Sequence, residues 1–523
     1  MRAMFTTLIV ALGVVLACDE APSPPLAPRA DYVPSGDLIA LLPPSTVVAV
    51  EVRNLAGRWD ELRAIPGLAG LQDRLLEKLG LDADDVPELA GERAVIAVVA
   101  DGDARSLVPV AVLDPPSPEG ALAFLGRANG LVAHEGRGAV WVGPTGRAGL
   151  VERIAAGNGT SLRQAVDFAA LAERLPEGGL ARAVVHPCAL REHLGMWAEM
   201  RGSDAAGMLA ALFRSDLEAV KVAGFRRDIV DGAIVTDAWV GFDTEVVPEA
   251  FTRALATPRG PAVLPADIPA DVLLASSFRT EAEAGLAWLR TVAARDPRGP
   301  LRNFDFWVDE FEARTGRDVE RDIVGALGER GLAFLFVGED EGAIEFIAIF
   351  DAGDPARLEA SLVDLRDWIA EQVWGRSLGL AMPRSWNAHE DNGAVYGLDL
   401  RSPFATLSGP VFQLANDHLV VATSRRSLRR GVLLVEGAES WNTPAWALGE
   451  QGPPDEIVLI RTTVLARVLA AGAVRYAGDD GWFLDAVGEF LDGAGDGHLR
   501  VRYEEGGLRV SSSLRIDAQR AGP

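Results

Sequence analysis

The sequence predicts an α+β protein of two homologous repeats, each a mainly antiparallel sheet with helices packed on it. Three observations lead there. Apolar runs of strand length alternate with stretches of helical spacing. Short sequences recur in the same order in both halves of the chain. Turn residues of the hairpin type, such as Asp391-Asn392-Gly393, separate strand-like runs.

The elements follow from period and punctuation. Val47 to Val52 reads as a strand. Leu68, Leu71, Leu75 and Leu79 lie at helical spacing and end on Gly80, a natural C-cap. Ala94 to Val99 and Leu107 to Leu113 read as a hairpin, with Asp101-Gly102-Asp103 at its turn. Pro118 to Ala128 reads as a second helix and Val140-Trp141-Val142 as a further strand. Each copy therefore opens β-α-β-β-α-β, an order that suits helices on one face of the sheet. Each copy closes with a helix plus a β-hairpin: Met208 to Phe213 then Val220 to Phe242, and Trp482 to Leu491 then Leu499 to Ile516.

The repeat is visible in register. Gly91-Glu92-Arg93 and Gly328-Glu329-Arg330 are 237 positions apart, as are Asp114 and Asp351. His418-Leu419-Val420-Val421 matches Ala139-Val140-Trp141-Val142 at an offset of 279, so copy two is 42 residues longer in its middle. Copy one spans 39–248 and copy two 262–517, with a Pro- and Ala-rich joint between them. The extra segment carries Trp374, Trp386 and Tyr396, a candidate partner or ligand surface.

Residues 1–17 read as an export signal: Arg2, an apolar run from Leu8 to Leu16, then small Ala17. The run is too short to span a bilayer, which takes about 20 residues. Val15-Leu16-Ala17-Cys18 resembles a bacterial lipobox, which implies acylation of Cys18 and anchoring to a membrane. Asp19 behind it resembles an inner-membrane retention signal. Residues 18–38 hold five prolines and read as an extended tether. This places the protein in the cell envelope, exported and lipid-anchored.

With 75 acidic against 50 basic residues and a formal net charge of −25, broad binding to nucleic acid is excluded. Two cysteines cannot build a disulfide framework. Only Lys78 and Lys221 are lysines, so nearly all positive charge is arginine, as in proteins of high-GC bacterial genomes.

The Leu-Pro-x-Asp/Ser-x-Val opening, the Gly-Leu-Asp and Leu-x-Gly-Glu centre, Asp354-Pro355 and the Asn-Gly-x-x-Tyr hairpin carry a resemblance. They resemble an uncharacterised family of bacterial envelope lipoproteins with a duplicated α+β module. The resemblance covers most of both copies; copy one lacks the Tyr hairpin. It implies the address and the architecture, and brings no catalytic residue.

Candidate chemistry is sparse. His186, Cys188 and His193 are N and S donors of the zinc type, but their spacing matches no standard finger, and copy two has Arg461, Thr463 and Val468 there. A strand end running into a helix accounts for them. Asp492 to Gly497 is faintly like a calcium loop, with Tyr503 where the bidentate Glu belongs; a tight turn explains it. Asp82, Asp84 and Asp85 read as an acidic loop, and Gly157 to Thr160 as a turn with no lysine behind it. No metal or cofactor is expected, and no catalytic signature such as Gly-x-Ser-x-Gly occurs. Arg425, Arg426, Arg429 and Arg430 share one face of an expected helix and are candidates for contact with anionic lipid headgroups. The expected function is a non-catalytic binding or scaffolding module with an envelope protein partner. A carrier of a hydrophobic ligand is the alternative, and an envelope enzyme the remote one.

Overall fold

The computed structural model describes residues 38–54, 73, 77, 91–101, 106–128, 130–157, 161–166, 168–175, 179–192, 217–230, 233–243, 245–256, 261–295, 303–337, 344–373, 384–390, 393–399, 410–448, 453–468, 488, 491–492, 494–504 and 506–516. The protein is α+β with extensive antiparallel sheet. The chain divides into two compact units. The N-terminal unit is centred on Thr6–Val247 and completed by Tyr476–Gly495 and Glu504–Pro523. The C-terminal unit holds Pro248–Arg475 and Asp496–Tyr503.

The N-terminal unit contains β1 (Thr46–Arg53), β2 (Arg93–Asp101), β3 (Ser106–Leu113), β4 (Leu131–Gly136), β5 (Ala139–Pro144), β6 (Ala181–Val185), β7 (Val220–Val230) and β8 (Ala233–Phe242). Their pairing is antiparallel throughout, in the order β4-β5-β3-β2-β1-β6-β7-β8. The C-terminal unit contains β9 (Val272–Arg279), β10 (Leu327–Val337), β11 (Ile344–Ala352), β12 (Arg384–Glu390), β13 (Gly393–Asp399), β14 (Val411–Ala415), β15 (His418–Ala422), β16 (Glu456–Ile460) and β17 (Ala494–Glu504). Its antiparallel order is β12-β13-β14-β15-β11-β10-β9-β16-β17.

Two expectations need correction. The final strand β18 (Gly507–Ile516), read as the close of copy two, runs along β8 in the N-terminal unit, from Gly507 opposite Gly241 to Arg515 opposite Ala233. An outer strand left with free N–H and C=O groups takes a partner where one is in reach. Helices also occupy both faces of the sheet, not one. Helix Pro118–Leu125 packs Ala121 and Leu125 on Val140 and Val142 of β5. Helix Ala148–Ala156 packs Val151 and Ile154 in the core that holds Trp141, which points the other way from the same strand. β5 is buried from Ala139 to Gly143 for this reason. The alternation rule missed β4, whose sequence runs from apolar Leu131-Val132-Ala133 to polar His134-Glu135 with no period of two.

The C-terminal unit repeats the arrangement. Helix Pro355–Trp368 places Leu358 against Leu419, and helix Arg425–Glu436 places Leu428, Val432 and Val435 against Val420 and Ala422 of the same strand, β15. Burying each such side chain is worth about 1.5–3 kcal/mol. The helix starts are specified locally: Ser117 and Asp354 each cap a helix whose first residue is proline. The expected helices at 68–79, 208–213 and 482–491 lie outside the described residues, apart from a few of their positions.

Candidate functional site

A row of charges crosses one end of the C-terminal sheet. Asp351 on β11 faces His418 on β15 in the strand register. One Asp351 oxygen accepts a hydrogen bond from Arg330 Nε at 3.0 Å, and the other lies 3.4 Å from His418 Nε2. His418 Nδ1 lies 2.6 Å from the carbonyl of Asn416. A carbonyl only accepts, and so does a carboxylate, so the two contacts together call for both ring N–H groups, the imidazolium form. The Asp351 hydrogen bond accordingly raises the His418 pKa above its ordinary 6.5, against burial, with help from the Asn416 carbonyl. Burial works against the Asp351 anion, but the hydrogen bonds from His418 and Arg330 hold it below the usual carboxylate range. Trp441 meets His418 edge to face, with ring centroids 5.3 Å apart. It also walls a small depression with Val263, Leu332 and Ile349 beside Arg330 and Asp351.

The row continues through the sheet. Arg330 lies opposite Arg279 of β9. Like charges face to face repel unless acids flank them. Arg279 is buried, with Asp455 Oδ1 3.5 Å away and the Tyr503 ring under its guanidinium at 5.2 Å. The Tyr503 hydroxyl donates to buried Glu456, and its backbone N–H donates to Asp455 at 2.8 Å.

The N-terminal unit holds the same row in shorter form. Arg93 reaches Asp114 at 3.5 Å and lies opposite Arg53 of β1, which donates twice to Glu51 at 2.9 and 3.1 Å. Ala139 stands where the other unit has His418. Glycine precedes both rows because the strands close tightly there: a Cβ on Gly91 would lie 2.2 Å from the Asp114 carbonyl oxygen, and one on Gly328 would lie 2.4 Å from Asp351 Cβ. What this geometry does chemically is hold charge. Asp351 gives both oxygens to cations and His418 gives both nitrogens to acceptors, so neither is poised as a base.

Of the expected surface residues, Trp386 and Tyr396 lie on one hairpin but on its opposite faces. Trp386 on β12 lies across Gly397 of β13, its register partner, and Arg425 covers its ring at 4.0 Å from the centroid. Tyr396 points to the opposite face, stacked on Phe412 at 5.2 Å, with Arg366 5.4 Å from its ring. Burial and a hydrogen bond with Glu359 push its hydroxyl up. Buried Arg366 donates to the Trp386 carbonyl at 3.2 Å and to Asn387. Both aromatics are thus half-buried clamps for the β12–β13 hairpin. Trp374 lies outside the described residues.

Of the four arginines on helix Arg425–Glu436, Arg430 pairs with Asp271 and sits 4.5 Å over Phe336. Arg426 and Arg429 lie on the exposed face. The helix start carries an acid from elsewhere: Ser427 donates to Glu345 at 2.6 Å, beside the Ser424 cap.

The zinc-like trio does not converge. His186 is buried with Nδ1 2.7 Å from the Pro44 carbonyl, Cys188 is exposed 3.9 Å from Arg191, and His193 lies outside the described residues. No metal-type cluster occurs among the described residues. Asp496 of the calcium-like loop pairs with Arg461 at 3.1 Å. Cys18, the acidic run at 82–85 and Asn158 to Thr160 also lie outside the described residues. Comparison with family models, with curated proteins and with solved structures gives no match to this chain. The Arg330–Asp351–His418 group was missed by sequence reasoning. Its signal was a histidine, His418, at a strand position where the matching sequence of the other unit has Ala139.

Proposed function

We propose that this chain is a lipid-anchored bacterial envelope protein whose body is a non-catalytic binding or scaffolding module made of two homologous α+β repeats. The observation that carries the reading is the strand order. Eight strands of the N-terminal unit follow β4-β5-β3-β2-β1-β6-β7-β8, and the C-terminal unit follows β14-β15-β11-β10-β9-β16-β17 over the matching positions. Among the described residues the C-terminal unit alone has such edge strands, β12 and β13, within the segment that is longer in sequence. Elaborating an edge while keeping the scaffold suits a body that presents surfaces. The charge rows favour the same reading, because they tie strands together without a nucleophile beside a base. Large fully buried side chains, Trp141 in one unit and Phe311, Phe334 and Phe336 in the other, fill the cores and favour a scaffold over a carrier.

The anchor rests on Val15-Leu16-Ala17-Cys18, and the tether on residues 18–38. The test uses labelled palmitate in a bacterial host. The wild-type chain takes up label and fractionates with membrane, while Cys18→Ser does neither; equal labelling of both would overturn the anchor. Native mass spectrometry on residues 19–523 tests the module. A clean protein mass fits the scaffold, and a stoichiometric adduct in the lipid mass range replaces it with the carrier.

A further inference from the structure

We infer that the outer edge of β4 is a docking site for one extended strand of a partner protein, added antiparallel, with a large apolar residue opposite Ala133 and a basic one opposite Glu135. The inference rests on the two-repeat reading. The β4–β5 hairpin turns through Arg137 and Gly138, both at positive φ, with Gly136 opposite Ala139. In a two-residue hairpin that flanking pair is hydrogen-bonded, and Thr145 N–H donating to the Gly130 carbonyl at 2.8 Å keeps the same parity. The backbone groups of Leu131, Ala133 and Glu135 therefore point away from β5. Among the described residues β4 pairs with β5, which lies between it and β3.

The C-terminal unit shows what occupies this edge. Its β14–β15 hairpin turns through Asn416 and Asp417, also at positive φ, with Ala415 opposite His418. Counting back from the turn, Phe412 matches Ala133 and Pro410 matches Leu131. There β13 lies antiparallel on the outward groups: Tyr396 opposite Phe412, and Leu398 N–H donating to the Pro410 carbonyl at 3.1 Å. Where β14 presents Phe412 to the incoming strand, β4 presents only a methyl group, so an incoming aromatic has room. Both faces of β4 are already covered: Leu131 and Ala133 pack with helix Pro118–Leu125 and Val132 with the main core. What is left is the row of backbone donors and acceptors, with exposed Glu135 supplying the charge preference.

The test is hydrogen exchange on the full chain with a synthetic peptide of the β13 sequence, Gly393–Asp399, at millimolar concentration. The expected result is slowed exchange at 131–135, strengthened in a peptide carrying Ala394→Lys and weakened in one carrying Ala394→Glu. In the chain variant Ala133→Pro, which removes an outward N–H only, the effect disappears while β5 keeps its slow exchange. Amides at Leu131, Ala133 and Glu135 that are already slow without peptide, or unchanged by it, would overturn the inference. A second arm replaces 384–399 by a flexible linker, with exchange in β9 and β10 as the check on folding. Peptide protection at 411–415 there, without protection at β4, sinks the inference and leaves the two-repeat reading standing. Protection at neither edge sinks both.

Discussion

His418 Nε2 lies 3.4 Å from Asp351 Oδ1, and this contact makes part of the protein's stability depend on pH. The His418 pKa is raised above 6.5 by the Asp351 hydrogen bond. Its contribution is fully present below that ordinary value and is lost as pH rises through the higher folded value. The Asp351 carboxylate, opposed by burial but held low by His418 and Arg330, contributes above its ordinary 3.8 and loses its effect as pH falls through the lower folded value. Both act together between those limits. His418→Ala should therefore cost about 1.5–3 kcal/mol at pH 5.5, the range for a hydrogen bond to a charged group. At pH 8.5 the cost should fall to less than half. Urea midpoints at the two pH values measure this, and an equal cost at both would show that the pair is not charged.

A second histidine should move the other way. His498 stacks flat on Trp446, centroids 4.2 Å apart, and burial lowers its pKa below 6.5. Its folded state binds fewer protons than its unfolded state. That stability is present above 6.5 and is lost as pH falls through the lower folded value. In a proton NMR titration the two rings should bracket 6.5, His418 above and His498 below. Both on the same side would contradict the packing around one of them.

These residues show what the sequence makes legible. The glycine-glutamate-arginine motif and its aspartate recur at one offset because an antiparallel hairpin must bring them together in both units: Arg93 meets Asp114 as Arg330 meets Asp351. Of the turn expected at Asp391-Asn392-Gly393, Gly393 has φ of 123° and is the first residue of β13, opposite Glu390, while Asp391 and Asn392 lie outside the described residues. The contact of Arg425 with Trp386 was not legible. The two lie on a helix and a strand, and only packing on β15 and β13 decides that they meet. The route of β18 to β8 was equally hidden, since a strand's own sequence does not name its neighbour.

Trp386 and Gly397 should behave as one unit. A Cβ at 397 would lie 2.1 Å from Trp386 Cζ2, so Gly397→Ala forces the indole off the strand. Overpacking of this kind costs about 1–3 kcal/mol. In a Trp386→Ala background the same change should cost little. Arg425→Ala alone should cost about 0.5–1 kcal/mol for the lost cation–π contact, and nothing once Trp386 is gone. A double-mutant cycle by urea unfolding reads both couplings. Additive costs would mean that the ring does not sit between the glycine and the guanidinium.

Gly91 and Gly328 open the matching motifs but should not tolerate alanine equally. Gly91 has φ of +61° and bridges to Asp114, where its added Cβ would lie 2.2 Å from the carbonyl oxygen. Alanine there meets two penalties. The left-handed backbone costs about 1–2 kcal/mol, and the clash with backbone adds about 1–3 kcal/mol. Gly328 is not in the left-handed region, and its Cβ would meet the Asp351 side chain at 2.4 Å. It carries the second penalty only. Gly91→Ala should therefore lower the unfolding midpoint more than Gly328→Ala, because it alone adds the left-handed backbone penalty to the clash. Gly328→Ala should also shift Asp351 away from His418, and so drop the His418 pKa in the same NMR titration. A Gly328 variant that loses stability without moving the His418 titration would separate the tight turn from the charge row it supports.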